Sequence, residues 1–408
     1  MKSIIVSDYE EIIPGLSGGA RFSDWTESIL GHNDSFRRQL LRGVDHWRDF
    51  LQREFDLGVT GHYGLAVGDV NGDGLDDIYL CQPGGLPNRL YIQQDDGTVR
   101  DASAPSGTDW MDDSFAALLV DLDNDGDQDL VITHTFQIRV QRNDGTGKFS
   151  SEIIGRGPAT FLSAAAADYD NDNDLDIFVC GYTPTYVAGQ NGEVNINPLP
   201  YHDAVTGAPN MLLRNDGNLG FTNVTEESGL NVKNVRYSLA ASWEDYDNDG
   251  DLDLYVANDF GRNNLYENKG PAQHRDDGSP QFVDVAARAG VEDIAAGMGV
   301  TWGDYNNDGL IEVYISNMFS SAGGRVAYQR RFRQDGASNT LAEFRRHARG
   351  NTLFENLGNG MMADVSEDAA VTMGRWAWGA KFLDINNDGL QDIYVANGYL
   401  TGDSTDDL

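Results

Sequence analysis

One short acidic pattern occurs six times in this chain, and no other feature of the sequence constrains the fold as strongly. The pattern is D-x-[DN]-x-D-[GN]-x-x-[DE], and its copies, numbered one to six here, begin at residues 69, 121, 168, 245, 304 and 384. A pattern that recurs at such intervals is typical of propellers, solenoids and other repeat architectures. Positions 1, 3, 5, 7 and 9 of the six copies are Asp69, Asn71, Asp73, Leu75 and Asp77; Asp121, Asp123, Asp125, Asp127 and Asp129; Asp168, Asp170, Asp172, Asp174 and Asp176; Asp245, Asp247, Asp249, Asp251 and Asp253; Asp304, Asn306, Asp308, Leu310 and Glu312; and Asp384, Asn386, Asp388, Leu390 and Asp392.

The spacing within each copy suits Ca²⁺, a hard cation that takes about 6–8 oxygen ligands. Positions 1, 3, 5 and 9 offer side-chain oxygens, and position 7 offers its backbone carbonyl. Position 6 is Gly in five copies and Asn173 in the third, and both residues tolerate the left-handed backbone of a sharp turn. No His or Cys occupies these positions, which disfavours Zn²⁺ and other metals that prefer soft ligands. We therefore expect these residues to bind about six Ca²⁺ ions.

Each copy continues into an extended segment and not into the helix of an EF-hand. An EF-hand loop ends on an acid at position 12, whereas position 12 is aliphatic in every copy: Leu80, Ile132, Val179, Val256, Ile315 and Val395. Positions 10 to 12 form short β-branched and aromatic runs, which are typical of buried strands. A second apolar run precedes each loop. Each copy is therefore predicted to be a strand, a calcium loop and a returning strand.

Two further strands are predicted after each hairpin, marked by phrases such as Asn264–Asn268. Four antiparallel strands per repeat indicate an all-β fold, a β-propeller of four-stranded antiparallel blades with short helical insertions, forming a single domain over residues 1–408. Six blades can be counted. The sixth hairpin, ending near Asn397, lacks outer strands, so Ser3–Ser7 and Phe22–Glu27 are expected to supply them and close the ring. If the parent chain is longer, a ring of seven blades is the alternative to six.

These loops and their flanking phrases resemble the FG-GAP/VCBS repeat family, which includes the propeller of integrin α-chains and secreted proteins similar to cartilage acidic protein. The resemblance covers Ala20 to Asn397 apart from three insertions. It implies a propeller with structural Ca²⁺, export from the cytoplasm, and adhesion or protein binding. The family pattern also accepts asparagine at position 3, as in Asn71, Asn306 and Asn386, which gives each of these loops one negative charge fewer. Glu312 at position 9 departs from the pattern.

Three longer insertions interrupt the repeats, at residues 33–55, 182–209 and 319–350. All three are expected on the face opposite the calcium loops, because they leave the blades at the other ends of the strands. The first carries apolar residues at helical spacing and predicts a helix that docks on the propeller, or alternatively on a partner. The third holds a cluster of arginines, expected to pair with the protein's own carboxylates, with an acidic or sulfated partner as the alternative. The second brings tyrosines and His202, which suit packing as well as contact with a sugar or a protein.

The net charge and the two cysteines limit the classes of binding partner and the cellular compartments that the sequence allows. The formal net charge of -36 disfavours nucleic acid, because phosphate binding needs clustered Lys and Arg. No apolar run is long enough for a membrane span, and the N terminus lacks a signal peptide. Weak calcium sites fill at extracellular calcium levels, so we expect a secreted, periplasmic or cell-surface protein whose leader is absent from this chain. Cys81 and Cys180 occupy equivalent places in copies that are not neighbours, which predicts small core residues and no disulfide.

The expected function is a protein- or glycan-binding or adhesion module, since the sequence contains no recognisable catalytic motif. The ligand is expected on the face opposite the calcium loops. Two alternatives stay open. One is a polysaccharide lyase or hydrolase on the same scaffold, using His202 with an arginine such as Arg331. The other is a structural subunit of a surface assembly.

Overall fold

The computed structural model describes residues 23–42, 46–47, 50, 63–185, 197–270, 281–329, 331–332 and 338–398. Its helical elements are α1 (Thr26–Leu30), a π-helical turn (Phe36–Leu40), α2 (Ser103–Ser106), α3 (Ala286–Ala289), α4 (Ser321–Ala327) and α5 (Ser338–His347). Its strands are β1 (Leu65–Gly68), β2 (Asp77–Leu80), β3 (Arg89–Gln93), β4 (Val99–Asp101), β5 (Ser114–Val120), β6 (Asp129–Asn143), β7 (Phe149–Ala167), β8 (Asp176–Pro184), β9 (Met211–Asn215), β10 (Phe221–Asn223), β11 (Tyr237–Glu244), β12 (Asp253–Asp259), β13 (Gly261–Arg262), β14 (Asn264–Asn268), β15 (Phe282–Asp284), β16 (Ile294–Ala295), β17 (Gly297–Gly303), β18 (Glu312–Asn317), β19 (Thr352–Asn356), β20 (Met362–Asp364), β21 (Ala377–Leu383) and β22 (Asp392–Asn397). None of these helices is long and apolar enough to cross a lipid bilayer.

Every copy of the acidic pattern joins two paired antiparallel strands. The hairpins are β1–β2, β5–β6, β7–β8, β11–β12, β17–β18 and β21–β22. In each hairpin the residue before the loop faces the position-9 acid, as Gly68 faces Asp77 and Glu244 faces Asp253. The predicted strand–loop–strand unit is confirmed in all six copies.

The hairpins extend outward into larger antiparallel sheets. Three copies form separate four-stranded sheets, in the orders β1-β2-β3-β4, β11-β12-β14-β15 and β17-β18-β19-β20. The second and third copies share a six-stranded sheet, because the first half of β7 pairs with β6 and its second half pairs with β8.

The strand β6 reverses direction within its own length. The Asn143 N–H donates to the Asp129 carboxylate at 2.8 Å, although a fully extended strand of that length would hold its two ends roughly 45 Å apart. The reversal lies near Phe136, whose φ is 70°. By doubling back, β6 supplies both the second and the third strand segment of the second copy.

The innermost strands pack against one another in chain order, β1 on β5, β5 on β7, β7 on β11, β11 on β17 and β17 on β21. Antiparallel sheets that follow one another in this way around a centre form a β-propeller, so the predicted all-β propeller is confirmed. Within the described residues β21 and β22 form a two-stranded sheet. Among the residues that the structure describes, four hydrogen-bonded blades are detected, and the predicted count of six blades is not confirmed.

The core lies between the blades and in the middle of the ring. Strands β12 and β18 are buried along their whole length. Their tyrosines Tyr255 and Tyr314 are 0% and 1% exposed. One apolar cluster joins three successive inner strands through Leu162 in the second half of β7, Leu239 in β11 and Met298 in β17. These side chains fill the middle of the ring at the end remote from the loops.

The prediction of a fourth strand over Phe22–Glu27 is wrong, because α1 begins at Thr26 and the described residues before it are irregular. The phrase still has the geometry that follows the fourth strand elsewhere. Asp24 accepts the Thr26 N–H at 2.9 Å, as Asp284 accepts the N–H two residues after it at 3.1 Å. The repeated phrase therefore marks a strand end together with the short helix that follows. The predicted third strand Ser3–Ser7 lies outside the described residues.

The predicted helix over residues 33–55 is observed only in part. The π-helical turn Phe36–Leu40 is present, and most of the remaining insertion lies outside the described residues. Phe36 is 4% exposed, and the Ser35 and Tyr91 hydroxyls lie 2.9 Å apart. This part of the insertion therefore docks on the first copy.

The two cysteines are free and buried, as the sequence predicts. Burial raises the pKa of the Cys81 thiol and of the Cys180 thiol to about 12. Thiols that stay protonated at neutral pH are poor nucleophiles. Both residues therefore serve as small core residues.

Candidate metal centres

The first aspartate of each loop organises the turn through backbone N–H groups. In the fourth copy Asp245 accepts the Asp249 N–H at 3.0 Å and the Gly250 N–H at 2.9 Å. Gly250 has a φ of 94°, in the left-handed region that favours glycine. Asn173 takes this place in the third copy with a φ of 73°, and its N–H donates to Asp168 at 2.9 Å. The loop geometry therefore tolerates the asparagine.

The acid at position 9 is buried in the first five copies, where it ties the loop to its sheet, and Asp392 of the sixth copy is partly buried. Asp253 accepts the Tyr246 N–H at 3.2 Å and, at the end of the third strand, the Asn268 N–H at 2.7 Å. Glu312 accepts the Tyr305 N–H at 3.2 Å in the fifth copy, so the longer side chain still reaches position 2. Burial raises the pKa of Asp253 to about 8 and that of Glu312 to about 7. A nearby cation would favour the charged form of both.

In the second, third and fourth loops, carboxylate oxygens at position 1 or position 3 are buried and accept no hydrogen bond among the described residues. These oxygens are Asp121 Oδ1, Asp123 Oδ1, Asp170 Oδ1 and Asp247 Oδ1. Burial, followed by the charges of neighbouring carboxylates, raises the pKa of Asp123, Asp170 and Asp247. An anionic oxygen removed from water and from every donor is costly unless a cation lies beside it. The donor chemistry of these loops therefore fits a bound cation.

In the same three copies the acids at positions 1, 3 and 9 converge. Each triad brings three carboxylate oxygens within 4.8 Å of one another: Asp121, Asp123 and Asp129; Asp168, Asp170 and Asp176; Asp245, Asp247 and Asp253. These triads could hold metal ions. A donor set made only of oxygen atoms is the type that Ca²⁺ takes in proteins.

The first, fifth and sixth copies have Asn at position 3, and no such triad forms there within the described residues. Asn71 donates to Asp73 at 3.0 Å, and Asn306 donates to Asp308 at 3.1 Å. In these copies an amide replaces the carboxylate at position 3, so the carboxylate at position 5 meets less electrostatic repulsion. The structure brings the predicted ligands together most closely in the second, third and fourth copies.

A guanidinium also reaches the second loop. Arg142 pairs with Asp123 at 2.6 Å and lies 3.6 Å from Asp125. The sequence analysis did not identify this residue as part of the site. One positive charge already lies beside the second triad. A bound cation would therefore relieve less electrostatic repulsion there than in the third and fourth triads.

An asparagine at the end of the third strand is a further residue that the sequence analysis missed. The Asn268 side chain donates to the Tyr169 carbonyl of the preceding copy at 2.9 Å and to the Leu252 carbonyl of its own copy at 3.1 Å. The corresponding pairs of bonds are made by Asn143, Asn215 and Asn356. We call these four residues the interblade asparagines. The available sequence signal is their recurrence at the end of the third-strand phrase.

The second insertion leaves its sheet at the end remote from the acidic loop. Beside the loop Ala167 faces Asp176, whereas at the other end of the same strand pair Ala159 faces Pro184. Residues 197–209 follow from that end.

Side chains of this insertion contact α5. His202 Nε2 lies 3.3 Å from the Glu343 carboxylate, and its ring centroid lies 4.9 Å from that of Phe344. Arg331 is exposed, and the pairing of His202 with Arg331 that the enzyme alternative requires is not observed among the described residues.

The arginines of the third insertion pair with acids of the protein. Arg346 lies 2.9 Å from Asp293 and 2.5 Å from Asp364. Arg349 lies 2.9 Å from the same Asp364 carboxylate. The prediction of internal pairing is confirmed for these two residues.

A buried carboxylate lies beside aromatic rings between the two insertions. Asp259 is 5% exposed, and its Oδ2 accepts the Tyr182 hydroxyl at 2.8 Å. The Tyr201 ring packs on Phe260 and on His347, with centroids 5.1 Å and 5.4 Å apart. Burial raises the pKa of Asp259 to about 7 and lowers the pKa of His347 to about 4. Both groups are therefore neutral between about pH 4 and about pH 7.

Asp259 is expected to make the protein less stable as the pH rises from about 4 to about 7. Its folded-state pKa lies above its ordinary value, so in this interval the folded protein keeps a proton that the unfolded chain releases. The free energy of unfolding then falls by about 1.4 kcal/mol per pH unit through this group. The measurement is urea unfolding at fixed calcium across this pH range, for the parent and for Asp259→Asn. The variant still accepts the Tyr182 hydroxyl but cannot ionise.

Because the loop carboxylates are the same in both proteins, the difference between parent and variant isolates Asp259. A difference that does not change with pH would contradict the raised pKa.

The similarity of this chain to known proteins lies in the same repeats. A model of the FG-GAP-like repeat matches residues 69–132, 133–179, 245–315 and 335–395. Cartilage acidic protein 1 of Xenopus tropicalis is 26% identical over 293 residues, which are 65% of this chain and 42% of that protein. The human protein of the same name is 26% identical over 296 residues, which are 65% of this chain and 41% of that protein. The chain thus spans less than half the length of these two relatives.

Among solved structures, the biofilm matrix protein Bap1 of V. cholerae is similar with a TM-score of 0.36 and 13% identity, over 64% of this chain and 35% of that one. The matched repeat intervals end in the second strands of the second, third, fifth and sixth copies. They cover more than half of the sequence and contain all six acidic loops. The chain belongs to the FG-GAP-like repeat family.

Proposed function

We propose that this chain is a calcium-stabilised, extracytoplasmic β-propeller that binds a protein or glycan ligand on the face opposite its calcium loops. In this proposal all six loops bind Ca²⁺, with the second, third and fourth loops binding it most tightly. The bound ions brace the hairpins, and the insertions supply the binding surface. Weak oxygen sites fill at the calcium levels found outside cells, which supports a secreted, periplasmic or surface location.

The observation that carries the binding proposal is a set of exposed apolar side chains on the second and third insertions. Leu199, Tyr201 and Val205 are 52%, 48% and 51% exposed, and Val326 and Tyr328 are 43% and 67% exposed. We call these five residues the insertion patch. Apolar side chains grouped in this way on a soluble protein are typical of interaction surfaces.

The helix α5 links the two parts of the insertion patch. Tyr201 packs on His347 near the end of α5, and the Arg345 guanidinium lies 4.6 Å from the Tyr328 ring centroid. Glu343 of α5 pairs with Arg262 at 2.9 Å. These contacts support the patch on the sheets, so a ligand could bind without first ordering it.

A ligand of the calcium-loaded protein is expected to lose at least about tenfold in affinity when Tyr201 and Tyr328 are both changed to serine, because tyrosines contribute strongly to interface energetics. The ligand is first selected by screening a glycan array and a panel of purified extracellular matrix proteins. Dissociation constants are then measured for the parent and the double variant. Val283→Ser is the matched control, since Val283 is 36% exposed on the outer strand β15.

A saturable ligand whose affinity falls in Val283→Ser but not in the tyrosine double variant would place binding elsewhere and contradict the proposal. Melting temperatures of both variants should stay within a few degrees of the parent, because all three side chains are exposed.

A further inference from the structure

One buried acid of the fourth copy has no counterpart in the other five copies. Asp259 ends β12 at the end of the strand remote from the acidic loop, and it is position 15 counted from the first aspartate of its loop. The same position in the other copies is Pro83, Thr135, Tyr182, Met318 and Gly398. The repeat therefore folds without an acid at this place, so the architecture of the repeat does not explain the carboxylate of Asp259.

The carboxylate of Asp259 has no positive partner in the described part of the chain. It is 5% exposed, and its Oδ2 accepts the Tyr182 hydroxyl. Its Oδ1 is buried and accepts no hydrogen bond among the described residues. The guanidinium groups of Arg236 and Arg262, close to it in the sequence, pair with Asp203 instead. A buried anionic oxygen that lacks both a donor and a cation is costly.

A series of packed aromatic rings leads from this carboxylate to the surface. The Tyr182 ring packs on Tyr237 with centroids 5.2 Å apart, and Tyr237 packs on Phe260 at 5.8 Å. Tyr201 packs on Phe260 in turn and is 48% exposed. We call Asp259 and these four aromatic residues the Asp259 cluster. The face of an aromatic ring attracts a cation, most strongly where water is excluded, so the cluster combines two groups that favour an ammonium ion.

The charge of the whole molecule favours the same class of ligand. The formal net charge is -36, and a field of one sign attracts ligands of the opposite sign and repels those of its own. The cluster reaches the surface at Tyr201, which belongs to the insertion patch. A basic partner that docks on the patch therefore meets the cluster.

We propose that the Asp259 cluster binds the ammonium group of a lysine side chain, presented by a protein that docks on the insertion patch. The ammonium group pairs with Asp259 Oδ1, and the tyrosine rings contact the stem of the lysine. This inference rests on the proposed function, because Tyr201 belongs both to the patch and to the cluster. It identifies the ligand of that surface as a protein with an exposed lysine.

The hydrogen bonding of Asp259 favours lysine over arginine. An arginine guanidinium binds a carboxylate best through two parallel hydrogen bonds, one to each oxygen. The Tyr182 hydroxyl already occupies Oδ2, so only Oδ1 is open to a ligand. The lysine ammonium is a compact charge on a flexible stem, and it can pair with a single oxygen.

The test titrates Nα-acetyl-lysine N-methylamide into the calcium-loaded chain at about pH 8 and follows binding by calorimetry. Saturable binding with a dissociation constant of roughly 1 mM or below is expected. The norleucine analogue has the same stem without the charge and should not bind, and the arginine analogue should bind at least about tenfold more weakly. Asp259→Asn should weaken binding of the lysine probe at least about tenfold. Asp96→Asn, the same charge change in an exposed turn, should leave it unchanged.

The pH dependence of binding gives a second measurement on the same proteins. Burial raises the pKa of Asp259 to about 7, so below that pH a proton competes with the probe, whose own ammonium stays charged. The affinity of the parent should fall about tenfold per pH unit below about 7, and that of Asp259→Asn should not. The difference isolates Asp259, because the other titratable and charged groups of the elements around it are the same in both proteins: Tyr182, Tyr201, His202, Asp203, Arg236, Tyr237, Arg262, Glu343 and His347.

Three results would overturn the inference: no saturable binding of the lysine probe to the parent, equal binding of the norleucine analogue, or equal affinity of the parent and Asp259→Asn. The asparagine still accepts the Tyr182 hydroxyl, and the melting temperature of the variant in calcium shows whether it folds. If it does not fold, the norleucine and pH comparisons on the parent decide.

Tyr328→Ser separates this inference from the proposed function, because Tyr328 belongs to the insertion patch but not to the Asp259 cluster. The change should weaken a protein ligand of the patch and leave the affinity for the lysine probe unchanged. A protein ligand that is insensitive to Tyr328→Ser and to Tyr201→Ser would contradict the proposed function, whatever the probe does. A protein ligand that is weakened by Tyr328→Ser but not by Asp259→Asn would overturn only the lysine site.

Discussion

Removal of calcium with EGTA is expected to lower the melting temperature of this protein by roughly 15 °C or more. A ligand present at about a hundred times its dissociation constant stabilises the folded state by about 2.7 kcal/mol per site. The three converging triads alone would then contribute about 8 kcal/mol, which is comparable to the whole stability of a typical domain. The remaining loops, with Asn at position 3, would add less.

The physical reason lies in the buried acids. Without a cation, Asp170 and Asp247 keep oxygens that accept no hydrogen bond among the described residues, and each faces neighbouring carboxylates. Removing Ca²⁺ therefore leaves repulsion inside the loops that brace every hairpin. The measurement is a calorimetric melt before and after EGTA, together with metal analysis of the dialysed protein.

Two controls make this result specific. Asp247→Asn removes one ligand charge and should lower calcium affinity and the melting temperature in calcium, whereas Asp96→Asn makes the same charge change in an exposed turn and should alter neither. Mg²⁺ should restore little of the lost stability, because it binds poorly to cages made only of protein oxygens. Purified protein that holds no calcium and melts unchanged in EGTA would refute the calcium proposal.

The change Asn268→Leu is expected to lower the free energy of unfolding by about 3 kcal/mol. Asn268 is 0% exposed, and its side chain donates to the carbonyls of Tyr169 and Leu252. Leucine has a similar volume but leaves both buried carbonyls without these donors. The loss of an acceptor for the Gly270 N–H, now 3.1 Å from the side-chain oxygen, adds to the cost.

Urea unfolding in saturating calcium measures this effect, and Gln93→Leu is its matched control. Gln93 ends the third strand of the first copy at the corresponding place and is only partly buried. We expect less than about 1 kcal/mol there. If both variants lost the same free energy of unfolding, the hydrogen bonds of Asn268 between blades would add nothing to stability beyond the effect of removing an amide.

The sequence predicted the parts of this structure that depend on local spacing. The acid pattern, the glycine or asparagine at position 6 and the apolar runs on either side each act within about a dozen residues, so they define the hairpins directly. The phrase around Asp24 predicts a strand from the sequence, because the same pattern marks both the end of a strand and the helix that follows it.

Contacts between distant residues could not be predicted in this way. Arg262 pairs with Glu343 across 81 residues, and Asn268 reaches Tyr169 across 99 residues. Neither pairing leaves a signal in local spacing, because only the packing of separate parts of the fold brings the partners together.

The interblade asparagines have a consequence for how the loops fill. The Tyr169 N–H donates to Asp176 of the third loop, the Tyr169 carbonyl accepts from Asn268, and the Asn268 N–H donates to Asp253 of the fourth loop. An unbroken line of hydrogen bonds thus joins the acid at position 9 of one loop to that of the next. An ion that orders one loop also orders the donor that its neighbour needs, so occupation of one loop should raise the affinity of the next. Calcium titrations of this protein should rise more steeply than independent sites allow, and the loops that the interblade asparagines connect should gain or lose their ions as a group.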